Sequence, residues 1–208
     1  MKSFLQYITE KDGPSRSIHY FDVDGTLSNT SKDIKVHVKD PHGKTVKSLS
    51  HDEFNQHKLE PGHHYDFSDF RSSHKFKVHP IRKILKKMKA IHKNGGNAEI
   101  LTARSDFDDK HKFAQEWGKV GVNIGKGGIH VRRSGNLKGM PPHHAKAKII
   151  SDAIRKNGHK EVHLYDDSMD NINSMLELKK HHPDVAFHGH HVQHDEKTGD
   201  TKVTHYKA

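Results

Sequence analysis

Apolar residues in this chain fall into short runs that end in polar clusters, and the first run sets the pattern. Ile18-His-Tyr-Phe21 is rich in β-formers and stops at Asp22-Val-Asp-Gly25, which predicts a buried strand ending at a polar turn. Ile34-Lys-Val-His-Val38 then alternates, Pro41-His-Gly43-Lys turns, and Thr45-Val-Lys-Ser-Leu49 alternates again, the signature of a hairpin. Residues 50–76 are polar and aromatic without a clean period. The stretch 31–76 therefore reads as an inserted module. A long irregular loop is the competing reading, although loops of that length inside compact domains are usually lids or binding elements.

From Pro80 the period becomes helical. Ile81, Ile84, Leu85, Met88 and Ile91 form one apolar stripe, closed by Asn94-Gly-Gly96. Ala98-Glu-Ile-Leu101 predicts a short buried strand. A helix is expected over 106–118, a strand near 128–131 and a helix over 144–156. Glu161 to Tyr165 reads as a strand, 170–181 as a helix, and Val185 as the start of a last core strand. A turn at Lys197-Thr-Gly-Asp200 makes 193–208 a tail or a closing hairpin.

Strands alternating with helices predict a doubly wound, mostly parallel α/β sheet covered on both faces. Its core would comprise 18–30 and 77–192, with a leader at 1–17. Ligands in such sheets sit beyond the carboxyl ends of the strands. The polar clusters at 22–26, 102–105 and 166–168 each follow a strand, so three loops should converge on one crevice.

Composition narrows the class. Only 31% of residues are strongly apolar and 30% are charged, so the apolar runs must be core. No run approaches a membrane-spanning length, and no membrane contact is expected. The chain has no cysteine, which fits a reducing compartment such as the cytoplasm. A net charge of +10 and 23 histidines favour polyanionic partners, either nucleic acid through the basic surface or phosphorylated small molecules. Oligomeric state is not legible.

Asp22 and Asp24 are two residues apart, so on an extended chain both carboxylates point the same way, and Gly25 can turn the backbone beyond them. Close carboxylates repel unless a cation lies between them, and oxygen-only ligands favour Mg²⁺.

These clusters together resemble the haloacid dehalogenase (HAD) superfamily of phosphatases and phosphotransferases. Phe21-Asp-Val-Asp-Gly-Thr-Leu27 is similar to its first motif and Leu101-Thr-Ala-Arg104 to its second. A lysine opening the 144–156 helix would be the third, and Leu164-Tyr-Asp-Asp-Ser168 the fourth. The resemblance implies a Rossmann-like HAD core and a Mg²⁺-dependent phosphomonoester hydrolase. Asp22 would be the nucleophile that forms an aspartyl-phosphate, and Asp24 the general acid and then the base. Thr102 would bind a phosphoryl oxygen. Asp22, the carbonyl of Asp24, Asp166 and Asp167 would hold the metal.

Gly25, Thr26, Ala103 and Arg104 would line the substrate. The charge-neutralising lysine is Lys146 or Lys148; Lys146 is preferred because it shares a face with Ile149 and Ile150. Competing readings stay open: the aspartates as helix caps, Thr102 as an ordinary strand end, Arg104 as a structural ion pair, and Asp170 and Asn171 as metal support or helix start.

The insert at 31–76 lies where that family carries a small cap. Its basic entrance (His37, Lys39, Lys44, Lys47, Arg71, Lys75, Lys77) suits a nucleotide or a nucleic-acid terminal phosphate, unless these residues only solvate a surface hairpin. Residues 1–10, ending Ile8-Thr9-Glu10, resemble cleaved capsid-targeting leaders of internal proteins of T4-like bacteriophages; a frayed terminal helix is the alternative. That resemblance implies a host-cytoplasmic or capsid-interior location. It also raises a second function, a non-catalytic phosphate- or nucleic-acid-binding virion protein. The glycines at 121–127 lack P-loop spacing. The pairs His63-His64, His143-His144, His181-His182 and His190-His191 lack zinc-ligand spacing and read as adventitious.

Overall fold

The computed structural model describes residues 16–29, 34–106 and 108–208, so the leader expectation for residues 1–10 lies outside the described residues. Among the described residues fourteen α-helices and strands follow one another: β1 (Ser17–Phe21), β2 (Val36–Lys39), β3 (Thr45–Leu49), α1 (His51–Gln56), β4 (His64–Asp66), α2 (Arg82–Lys93), β5 (Asn97–Thr102), α3 (Lys110–Lys119), β6 (His130–Arg133), α4 (Pro142–Asn157), β7 (Glu161–Asp166), α5 (Met169–Leu176), β8 (Ala186–His194) and β9 (Thr201–Lys207).

Six strands form one sheet in the order β6-β5-β1-β7-β8-β9, parallel except for β9, which runs antiparallel beside β8. The segment 193–208 is thus largely a closing hairpin arm. The order reverses at β1: the chain first builds outward through β5 and β6, then returns to pair β7 against the other side of β1. That reversal opens a crevice between the ends of β1 and β7.

Each face has its own core. Phe21, Val23, Ile84, Met88, Ile100 and Trp117 pack on one side with α2 and α3. Ile18, Tyr20, Leu101, Ile150, Leu164, Met175 and Phe187 pack on the other with α4 and α5. Toward their carboxyl ends strand residues therefore alternate between two buried surfaces, which is why β1 closes on Tyr20-Phe21 and β7 on Leu164-Tyr165.

The helices obey local rules. α3 begins at Lys110 rather than 106 because the Asp109 side chain accepts from the amides of His111 and Lys112. α4 has Pro142 in its first turn and ends at Gly158, whose φ of 69° supplies the left-handed cap. The expected helix over 170–181 is α-helical only to Leu176 and continues as a 3₁₀ turn over Glu177–Lys180.

Within 31–76, β2 pairs with β3 and β4 in a small antiparallel sheet, with Val36, Val38 and Leu49 buried beneath it. α1 follows β3 through a capping box in which Ser50 and Glu53 satisfy each other's amides. The module is docked, since Ile34, Phe76 and Phe70 belong to the α2 side of the core.

Candidate active site

β1 delivers Asp22 to the crevice, where it is 5% exposed, and its amide continues the β1–β7 ladder by donating to the Tyr165 carbonyl at 2.9 Å. Beside it, β7 ends in Asp166 and Asp167. Oxygens of Asp22, Asp166 and Asp167 all lie within 4.8 Å of one another. Gly25, with φ of 72°, makes the approach possible: a Cβ there would sit 2.6 Å from Oδ2 of Asp167.

Lys146 enters from α4. Its Nζ donates to Oδ1 of Asp22 and to Oδ2 of Asp166, both at 2.7 Å, and the residue is 1% exposed. Lys146 thus fills the place that its helical face predicted. Burial opposes its charge, but Asp166 and Asp22 outweigh it and hold the ammonium above the ordinary lysine range. Burial pushes Asp22 well up from the carboxylate range. Lys146 opposes that rise, while Asp166, Asp167 and Asp24 add to it.

The other oxygen of Asp166 accepts from the Ser168 amide at 3.0 Å and from Asn171 Nδ2 at 2.8 Å. Asn171 therefore supports a site carboxylate, whereas Asp170 is exposed. Three carboxyl groups thus gather about one ammonium, and with Asp22 and Asp166 buried and Asp167 half-buried they form an oxygen-only donor set. Such a set fits a hard divalent cation.

Thr102 ends β5 on the strand adjacent to β1, fully buried, with its hydroxyl accepting from the Arg104 amide at 3.2 Å. Ser134 Oγ donates to its carbonyl at 3.1 Å. Ala103 is exposed, and its carbonyl packs so tightly on Gly135 that a Cβ there would come within 2.2 Å. The Thr102–Arg104 loop is thereby braced by the turn after β6.

Three residues named as substrate contacts are engaged or buried within the protein. Arg104 is 3% exposed and grips Asp24 with two hydrogen bonds, Nε to Oδ2 at 2.8 Å and Nη2 to Oδ1 at 2.5 Å. Its Nη1 also donates to the Phe70 carbonyl at 3.1 Å, and its guanidinium stacks over Phe70 and Phe76. Arg104 is an ion-pair and packing residue rather than an exposed ligand arm. Lys148 is exposed on the outer side of α4 and pairs with Asp152 at 3.0 Å, because two residues along a helix turn it away from Lys146. Thr26 is fully buried and its hydroxyl has no hydrogen-bond partner.

In the insert, Lys39 pairs with Asp66 at 3.0 Å, while Lys75 and His37 meet Asp69 at 2.6 and 3.3 Å. Lys44, Lys47, Arg71 and Lys77 are exposed. Part of the basic entrance is thus engaged within the module itself. His191, read from the sequence as half of an adventitious pair, has its Nε2 3.0 Å from the Asp167 carbonyl and so ties β8 to the site.

Comparisons with protein-family models, with curated proteins and with solved structures find no match to this chain.

Proposed function

We propose that this protein is a Mg²⁺-dependent phosphomonoester hydrolase of the HAD type that works through an aspartyl-phosphate. The observation that carries the reading is the meeting of Asp22, Asp166 and Asp167 around the buried Lys146 at a switch point of a parallel sheet. A structural ion-pair network would not need a third carboxylate left to repel the other two.

Asp22, Asp166 and Asp167 would hold the ion, with the Asp24 carbonyl completing the set. Bound there, Mg²⁺ supplies positive charge that favours ionised Asp22 and neutralises the phosphoryl oxygens. Asp22 attacks phosphorus, the ester oxygen leaves with a proton from Asp24, and phosphate is carried on Asp22. Asp24 then takes a proton from water, which attacks the same phosphorus and frees Asp22. Lys146 balances charge on Asp22 throughout. Arg104 keeps the Asp24 carboxylate aimed and must release one of its oxygens for the proton to move. Thr102 offers its hydroxyl hydrogen to a phosphoryl oxygen.

The substrate class that fits the net charge and the exposed Lys44, Lys47, Arg71 and Lys77 is a nucleotide or a nucleic-acid terminal phosphate, with the small sheet acting as cap. A non-catalytic polyanion-binding role has one observation in its favour, the two-point grip of Arg104 on Asp24. Turnover of an aryl phosphate with and without Mg²⁺, beside Asp22→Asn, tests the enzyme. Metal-dependent release of phosphate that Asp22→Asn abolishes is expected; equal inactivity of both proteins across divalent metals sinks the reading.

A further inference from the structure

Five histidines stand side by side on the sheet face opposite α4 and α5. His19, His163 and His188 are direct neighbours across β1, β7 and β8, with ring centroids 4.2 and 4.5 Å apart. His190 and His205 continue the row across β8 and β9 at 4.8 Å. At its edge the Oε1 atom of Glu161 lies 3.2 Å from Nε2 of His163 and 3.3 Å from Nε2 of His188.

We propose that Glu161, His163 and His188 form a transition-metal site of the zinc class, with a fourth position open to solvent. The three donor atoms lie within 4.8 Å of one another. Tetrahedral zinc with bonds of about 2.0–2.1 Å to nitrogen and oxygen holds its ligand atoms about 3.3 Å apart. Both O···N separations match that edge. They also exceed the ~2.7–2.9 Å of a charge-assisted hydrogen bond, so a proton alone serves this triangle poorly.

The far ring nitrogens are already occupied in the way metal-bound imidazoles require. His163 Nδ1 lies 3.1 Å from His190 Nε2, and His188 Nδ1 lies 3.2 Å from His205 Nε2. These contacts set the ring tilts, and because the His163 and His188 rings lie within 11° of parallel, binding turns one ring about its Cβ–Cγ bond so that both Nε2 atoms face the ion. Both imidazoles are shielded from solvent by the neighbouring rings. Their side chains are 15% and 11% exposed, whereas Glu161 is 43% exposed and gives the ion its way in. Two imidazoles with one carboxylate select zinc, cobalt or nickel over Mg²⁺, which distinguishes this site from the all-carboxylate one.

Equilibrium dialysis of the EDTA-stripped full chain against Zn²⁺, with visible absorption of a Co²⁺ substitute, tests the site. The expected result is about one tight equivalent and a four-coordinate cobalt spectrum, both lost in Glu161→Ala and His188→Gln and both kept in Asp22→Asn. His205→Gln should keep the spectrum and weaken affinity about 10–100-fold. Melting in EDTA checks each variant's fold, and the half-exposed Glu161→Ala decides if His188→Gln unfolds. Zinc binding that survives Glu161→Ala, or that disappears in Asp22→Asn, overturns the proposal.

Discussion

Lys146 Nζ stands midway between Asp22 and Asp166, 2.7 Å from an oxygen of each, and joins the ends of β1 and β7 through α4. All three side chains are buried. Replacing Lys146 with Met leaves the volume and removes the cation, so carboxylates stay buried without their partner. The expected cost is about 3–5 kcal/mol in urea unfolding, together with loss of phosphatase turnover. Part of that stability should return below pH 5 as the carboxylates protonate.

Gly25→Ala puts a methyl group 2.6 Å from Oδ2 of Asp167 and an L side chain at φ of 72°. Backbone strain alone costs about 1–2 kcal/mol. The larger effect should fall on the ion: Mg²⁺ affinity drops by tenfold or more in calorimetric titration while the chain remains folded. A folded variant with unchanged affinity would remove Asp167 from the ligand set.

Saturating Mg²⁺ should raise the melting temperature of the wild type, since a ligand at about 100 times its Kd stabilises by ~2.7 kcal/mol. Chelation should reverse the gain. Because burial holds Asp22 protonated above the usual range, binding the ion expels that proton, and apparent Mg²⁺ affinity should rise with pH.

The histidine row makes the fold acid-sensitive. Burial, aided by neighbouring rings and Lys87, lowers His19 to about 4 and His190 to about 3, and burial with His188 lowers His163 to about 4. Above pH 6.5 these rings are neutral in both folded and unfolded chains. Below it the unfolded chain takes up protons that the folded chain refuses, so stability should fall as pH drops from 6.5 to about 4. Urea midpoints measured in EDTA across that window check the slope. His19→Phe should flatten it and raise stability by about 1 kcal/mol at neutral pH, because His19 Nδ1 is buried without a hydrogen-bond partner.

The sequence carried most of the sheet and half of the site. β1, β5 and β7 were legible because their carboxyl-terminal halves are buried on both faces, which writes a short apolar run ending in polar residues. Lys146 was legible because helical spacing separates it from Lys148. The pairing of Arg104 with Asp24 was not, since an ion pair spanning 80 positions leaves no local trace. The histidine row was hidden for a different reason. Adjacent residues such as His190 and His191 point to opposite faces of a strand, whereas alternate residues gather on one: His163 with Tyr165, and His188 with His190. α1 is written in Ser50-His-Asp-Glu53, which spells its capping box.

The central position of β1 has a consequence for how the molecule comes into being. Asp22 precedes Lys146 and Asp166 by 124 and 144 positions, so α4 and β7 must arrive before any of them meet. A nascent or truncated chain ending before β7 can hold hairpin and helix but lacks Asp166 and Asp167. The cluster of Asp22, Lys146 and Asp166 therefore assembles only when the long-range closure of β7 against β1 is complete.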